Sequence, residues 1–83
     1  METTRAFSAE GLENILAALD SGKYGAVLRA KGIVPAQDGG AWLHFDYVPE
    51  EHQVRTGPAD YTGRLCVIGG KLDETGLKAL FEV

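Results

Sequence analysis

Several features are scarce in this chain, and each shortage excludes something. One cysteine, Cys66, stands among 83 residues, so no internal disulfide can form. No apolar run approaches the ~20 residues of a membrane span. The opening METTRAFSAEG lacks the apolar core of a signal peptide. Together with the lone thiol, this weights the reading toward a reducing, cytoplasmic setting. Positive charge is also short: 8 Lys and Arg stand against 12 Asp and Glu, a net charge of -4. A generic nucleic-acid binder has the opposite balance, so neither nucleic acid nor membrane is expected as a partner.

Motifs for chemistry are equally sparse. The only imidazole or thiol ligands are His44, His52 and Cys66. They fall on three different expected strands, without a Cys-x-x-Cys or His-x-x-x-His spacing, so no metal site is assigned. Cys66 reads equally well as a small core hydrophobe. Glu50 and Glu51 read as solvated carboxylates. His44 and Asp46 share a strand face, but as an electrostatic pair rather than an acid–base couple, and no catalytic residue is assigned. Ile68-Gly69-Gly70-Lys71-Leu72 is the nearest approach to a phosphate loop. Such a loop needs glycine five positions before its Gly-Lys, where this chain has Leu65, and Ser or Thr where it has Leu72. No nucleotide-binding residue is assigned either.

What is present is the composition of a globular protein, 45% hydrophobic and 24% charged. A chain of this length makes one domain, residues 1–83, burying roughly 60–65% of its unfolded surface. Thr3 to Phe7 reads as a first strand. Ser8 reads as a helix N-cap, with Phe7 and Leu12 at the two staple positions. Leu12, Ile15, Leu16 and Leu19 follow the spacing of one buried helix face, and Gly22 suits the helix end. Asp73 repeats the cap, with Leu72 and Leu77 as its staple and Leu77, Leu80 and Phe81 as the apolar face. Between the helices lie strands at Tyr24–Val34, Ala41–Val48, Glu51–Thr56 and Arg64–Ile68, separated by the turns PAQDGG and TGPADYTG.

Two helices this placed must cover one side of the sheet. The expected fold is therefore α+β, a two-layer sandwich with a four- to five-stranded, mostly antiparallel sheet and two helices on one face. The first strand, joined through a helix to the next, is expected to pair with it in parallel.

Strand alternation then sorts the side chains. Leu28 and Ala30 should face the helices, as should Leu43, Phe45 and Tyr47. Arg29 and Lys31, with Trp42, His44 and Asp46, should share the uncovered face, where the cations avoid the cost of a core position. Gly32 would leave room beside them for another backbone or ring. Asp46 or a nearby Glu could neutralise Arg29 or Lys31, and Trp42 could cover an alkyl stem or make a cation–π contact. An exposed Trp beside Arg is also the composition of an interface anchor. These six positions, Arg29, Lys31, Gly32, Trp42, His44 and Asp46, are the candidate interaction surface.

Three stretches go further. VLRAKGIV, WLHFDYVPEEHQVR and RLCVIGGKLDETGLKALF resemble the C-terminal domain of CobW-type GTPases, proteins of cobalamin synthesis and metal delivery. That family shows an RaKG strand, a W…fd strand and an iGk.ld…L…f finish. Tyr24, Gly25, Arg29, Lys31, Gly32, Trp42, Phe45, Asp46, Ile68, Gly69, Leu72 and Asp73 fall where the pattern wants them. The resemblance implies an accessory domain that is not an enzyme by itself. Its parent would carry a P-loop GTPase domain ahead of it, using GTP, magnesium and a transition metal, zinc or cobalt. The implied partners are that GTPase domain and a metal-requiring client protein. The alternatives are a stand-alone protein-binding module without a metal role and, more distantly, a small enzyme, which would need a deep pocket with a perturbed titratable group.

Overall fold

Two helix starts are built by the same chemistry. In the computed structural model, which describes residues 1–82, Ser8 Oγ accepts the backbone N–H of Gly11 at 3.0 Å. This caps helix α1 (Ala9–Ala18). Asp73 Oδ1 accepts from the N–H of Gly76 at 3.0 Å and caps helix α2 (Glu74–Phe81). Each cap satisfies a donor that the first helical turn cannot pair internally. Phe7, Leu12 and Leu77 are buried and Leu72 packs against the core, as the staple positions require. A 3₁₀ turn, Leu19–Ser21, continues α1 and ends at Gly22 with φ 77°, a left-handed conformation that glycine adopts without steric cost.

Five strands form one sheet in the order β1-β5-β2-β3-β4. They are β1 (Glu2–Thr3), β2 (Ala26–Val34), β3 (Trp42–Val48), β4 (Glu51–Gly57) and β5 (Gly63–Gly70). All four pairings of neighbours are antiparallel. The inward sides of the strands supply Val27, Ala30, Val34, Leu43, Phe45, Tyr47 and Leu65 to a core completed by Leu12, Leu16, Leu77 and Phe81 of the helices. The Phe45 and Phe81 rings stack at 6.1 Å between centroids, tying the sheet centre to α2. This is the α+β sandwich expected from the sequence.

Two expectations need correction. The first strand is not a parallel neighbour of β2. Glu2 and Thr3 pair antiparallel with Arg64 and Gly63 of β5. Thr3 Oγ1 then takes the N–H of Arg5 at 2.9 Å, turning the chain off the sheet edge. The parallel contact survives as a single bridge between Phe7 and Ala36, through Phe7 N–H to Pro35 O at 2.8 Å and Gln37 N–H to Phe7 O at 2.9 Å. It stops there because Pro35 has no N–H with which to prolong a ladder.

The second correction concerns Leu28, which does not face the helices. Val27 pairs with Gly69 and Arg29 with Ile68, so Leu28 is an extra residue in β2, a β-bulge. Val27 takes the inward place and Leu28 is 61% exposed. Gly69 permits the distortion, because a β-carbon there would collide with the Ala26 carbonyl.

Candidate protein-interaction face

The helices leave the other side of the sheet uncovered, and the registers fix what stands on it. Lys31 lies between Asp46 of β3 and Cys66 of β5. Ile33 lies between His44 and Arg64, and His44 in turn faces Arg55 of β4. A shallow groove of about 500 Å³ runs over this centre, lined among others by Lys31, Ile33, His44, Asp46, Arg64 and Cys66.

Charge on this face is unevenly matched. Asp46 makes its ion pair with Arg55 at 2.9 Å, not with Lys31 or Arg29. Arg64 is held by Asp60. Arg29 and Lys31 are exposed and form no ion pair among the described residues. Arg55, which sequence reasoning passed over, is the partner that claims Asp46. Its place on one face with Gln53, opposite His44, was readable once the hairpin closing at Pro49-Glu50 was fixed.

Trp42 does not sit beside the two cations. It pairs with Gly57, four residues along β3 from Asp46, and so lies roughly 13 Å from the level of Lys31. The cations and the indole occupy opposite ends of the face. Gly32 lines the groove through its backbone alone. The place of its missing side chain is on the covered side, where a β-carbon would come within 2.6 Å of Phe45 Cε2. The glycine makes room for the core ring, not for a visitor to the open face.

The three metal candidates are not brought together. His44 places Nε2 2.9 Å from Pro58 O, lying across the bare backbone of Gly57. Nε2 must carry the proton for this bond to form. Cys66 is exposed two strands away, roughly 10 Å across the sheet. His52 pairs with Tyr47, an inward residue, and so stands on the other side of the sheet. Among the described residues no group of three His, Cys, Asp or Glu is placed to hold a metal. Gly69 and Gly70 belong to β5, and Leu65 is buried in the core. The Gly-Gly-Lys stretch is thus the end of a strand rather than a free loop.

Sequence reasoning missed a polar latch at the edge of the sandwich. Asp20, in the 3₁₀ turn, accepts the Tyr47 hydroxyl at 2.6 Å and the Glu50 backbone N–H at 2.7 Å. Glu50 has φ 66°, the left-handed bend that closes the β3–β4 hairpin. The Tyr47 bond foremost, with the Glu50 bond, holds the Asp20 carboxyl below its ordinary range. Burial, then the bond to Asp20, pushes the Tyr47 phenol up to about 12.

The fold is a two-layer domain with an uncovered, partly charged sheet face. The chain belongs to the family described as the cobalamin synthesis protein CobW C-terminal domain, whose model matches residues 1–83. No curated protein matches it in sequence. Among solved structures it is similar to the Zn(II)-bound YjiA GTPase from E. coli, at 19% identity and a TM-score of 0.80. A Zn(II)-bound triple mutant of YjiA GTPase gives 19% identity and a TM-score of 0.81. Both alignments cover 99% of this chain and 27% of the other, so the chain spans about a quarter of the length of these neighbours. At this identity the likeness is one of fold. No helix among the described residues is long and apolar enough to cross a membrane.

Proposed function

We propose that this chain is the accessory domain of a CobW-type GTPase, and that its uncovered sheet face is a protein-interaction surface in GTP-dependent metal delivery. The family match over residues 1–83 carries the reading. The partners are the P-loop GTPase domain of the same parent and a client protein that requires metal. GTP, magnesium and a transition metal act in the parent. That metal is zinc or cobalt; the two solved GTPases that contain a region of this fold are Zn(II)-bound. The domain acts by contact rather than catalysis, in a cytoplasmic setting. Arg29, Lys31, Trp42, His44 and Asp46 supply the surface, and Gly32 shapes it from beneath.

The exposed, unpaired Arg29 and Lys31 support an interface more than a merely solvated face, because an unpaired guanidinium can be desolvated and matched by a partner's carboxylate. The test is binding to the separately expressed GTPase domain, measured by calorimetry. Arg29→Ala should weaken it by about 1 kcal/mol or more, as at other arginine hot spots. Equal binding by wild type and variant would remove Arg29 from the interface. A GTPase domain that binds neither would favour the stand-alone protein-binding module.

A further inference from the structure

We propose that the end of the open face around Arg29 docks an acidic segment of a second protein, one whose carboxylates are flanked by bulky apolar side chains. The inference rests on the reading above that this face is an interaction surface, and adds the place on it and the chemistry of the partner.

The bulge in β2 is the first observation. In a regular strand one outward residue follows each inward one. Here the extra residue gives two exposed side chains in succession, Leu28 and Arg29, both opposite Ile68. Bulges re-aim side chains in this way. Ile68 is 56% exposed, and Val48, one step beyond the Ala30–Tyr47 pair on β3, is 42% exposed. Leu28, Ile68 and Val48 are three of the five large hydrophobics that are exposed among the described residues, and they surround one arginine. An apolar rim about a central guanidinium is how a charge contact is shielded from water and strengthened.

The second observation is charge. Arg55 is occupied by Asp46 and Arg64 by Asp60, whereas Arg29 and Lys31 have no ion pair among the described residues. The chain as a whole is acidic, at -4, and Glu51 stands opposite Val48 at the margin of this end, yet Arg29 and Lys31 have no ion pair there among the described residues. Complementarity selects a partner bearing carboxylates.

The third is shape. Beyond Leu28 the surface falls into a shallow depression of about 530 Å³ bounded by Gly22, Gly25, Ala26, Gly70 and Lys71. A β-carbon on Gly70 would meet nothing within 4 Å, so the floor is bare backbone. An apolar side chain of the partner fits there, while neighbouring carboxylates reach Arg29, Lys31 and Lys71.

A random 12-residue peptide library displayed on phage, selected against the folded domain, tests the chemistry directly. Enriched peptides should carry Asp or Glu beside Leu, Ile or aromatic residues. A synthetic copy of one should shift the amide resonances of Leu28, Arg29, Val48 and Ile68 in the ¹⁵N-labelled domain. Leu28→Ser and Arg29→Ala, both at exposed positions and checked by circular dichroism, should each weaken that peptide at least tenfold. Basic or wholly apolar consensus peptides, no enrichment, shifts confined to the Trp42 end, or affinity unchanged in both variants would each overturn the proposal. If GTPase-domain binding remains sensitive to Arg29 in those cases, the broader reading stands. Failure of that reading shows separately, as a GTPase domain that binds neither the wild type nor Arg29→Ala.

Discussion

Gly32 and Phe45 face each other across β2 and β3, and the phenyl ring occupies the space that a side chain on Gly32 would need. A β-carbon there would lie 2.6 Å from Phe45 Cε2 and 2.7 Å from the Arg64 carbonyl oxygen. The backbone on one side cannot yield, and the ring on the other is stacked on Phe81. Gly32→Ala should therefore destabilise the fold by about 1–3 kcal/mol through overpacking. Urea melts of the two proteins check this; an unchanged midpoint would mean that Phe45 can move aside.

The helix caps make a second prediction. Ser8→Ala and Asp73→Ala should each cost about 0.5–2 kcal/mol, since each leaves a first-turn N–H without its side-chain acceptor. Denaturant titrations of the single variants measure it. The double variant should lose close to the sum, because the caps share no partner.

The Asp20–Tyr47 bond should give stability a pH dependence with two limbs. Asp20 has a folded-state pKa below its unfolded value, so its contribution is present above the ordinary carboxylate range and is lost as pH falls through the lowered value. Tyr47 is raised from 10.0 to about 12, so its contribution is complete below about 10 and is lost as pH rises toward about 12. Tyr47→Phe should lower the midpoint near neutrality and flatten both limbs. Thermal melts from acid to alkaline pH would show it; parallel profiles for wild type and variant would refute the latch.

Calorimetry with GTP and magnesium should give no binding to the isolated domain. Leu65, where a phosphate loop needs glycine, is 3% exposed within the core, and Gly69-Gly70 is engaged in β5. Micromolar affinity would contradict this.

Much of the architecture was legible because its signals are local. Ser8 and Asp73 announce their helices three residues ahead of the N–H groups they accept, and Gly22 marks an end that only a left-handed residue makes easily. The alternation of β3 placed Leu43, Phe45 and Tyr47 inward correctly. The open-face set was half legible: Arg29, Lys31, Trp42, His44 and Asp46 all stand on the uncovered side, but the partner of Asp46 and the inward place of Gly32 did not follow from the pattern. Period-two reasoning assumes unbroken pleating, and nothing in VLRA reveals that one residue is surplus against β5. Trp42 was placed on the right face and at the wrong end, because position along the strand depends on the register with β2. The Asp20 latch joins residues 27 and 30 positions apart, so no short window contains it.

The strand order carries a consequence for how fast and in what sequence the chain assembles. β3 and β4 are joined by just Pro49 and Glu50, and β2 reaches β3 across residues 35–41. The central pairing of β2 with β5 must instead bring Gly32 to Leu65 around the whole of that meander. Loop closure over such a span is slow, and the β2–β3–β4 meander is the platform on which β5 can dock. Folding should accordingly nucleate in the meander, with the docking of β5 as the slow step and β1 and α2 joining after it. Measured φ-values should be highest for Phe45→Leu and Val54→Ala and near zero for Leu77→Ala; the reverse order would place nucleation around α2.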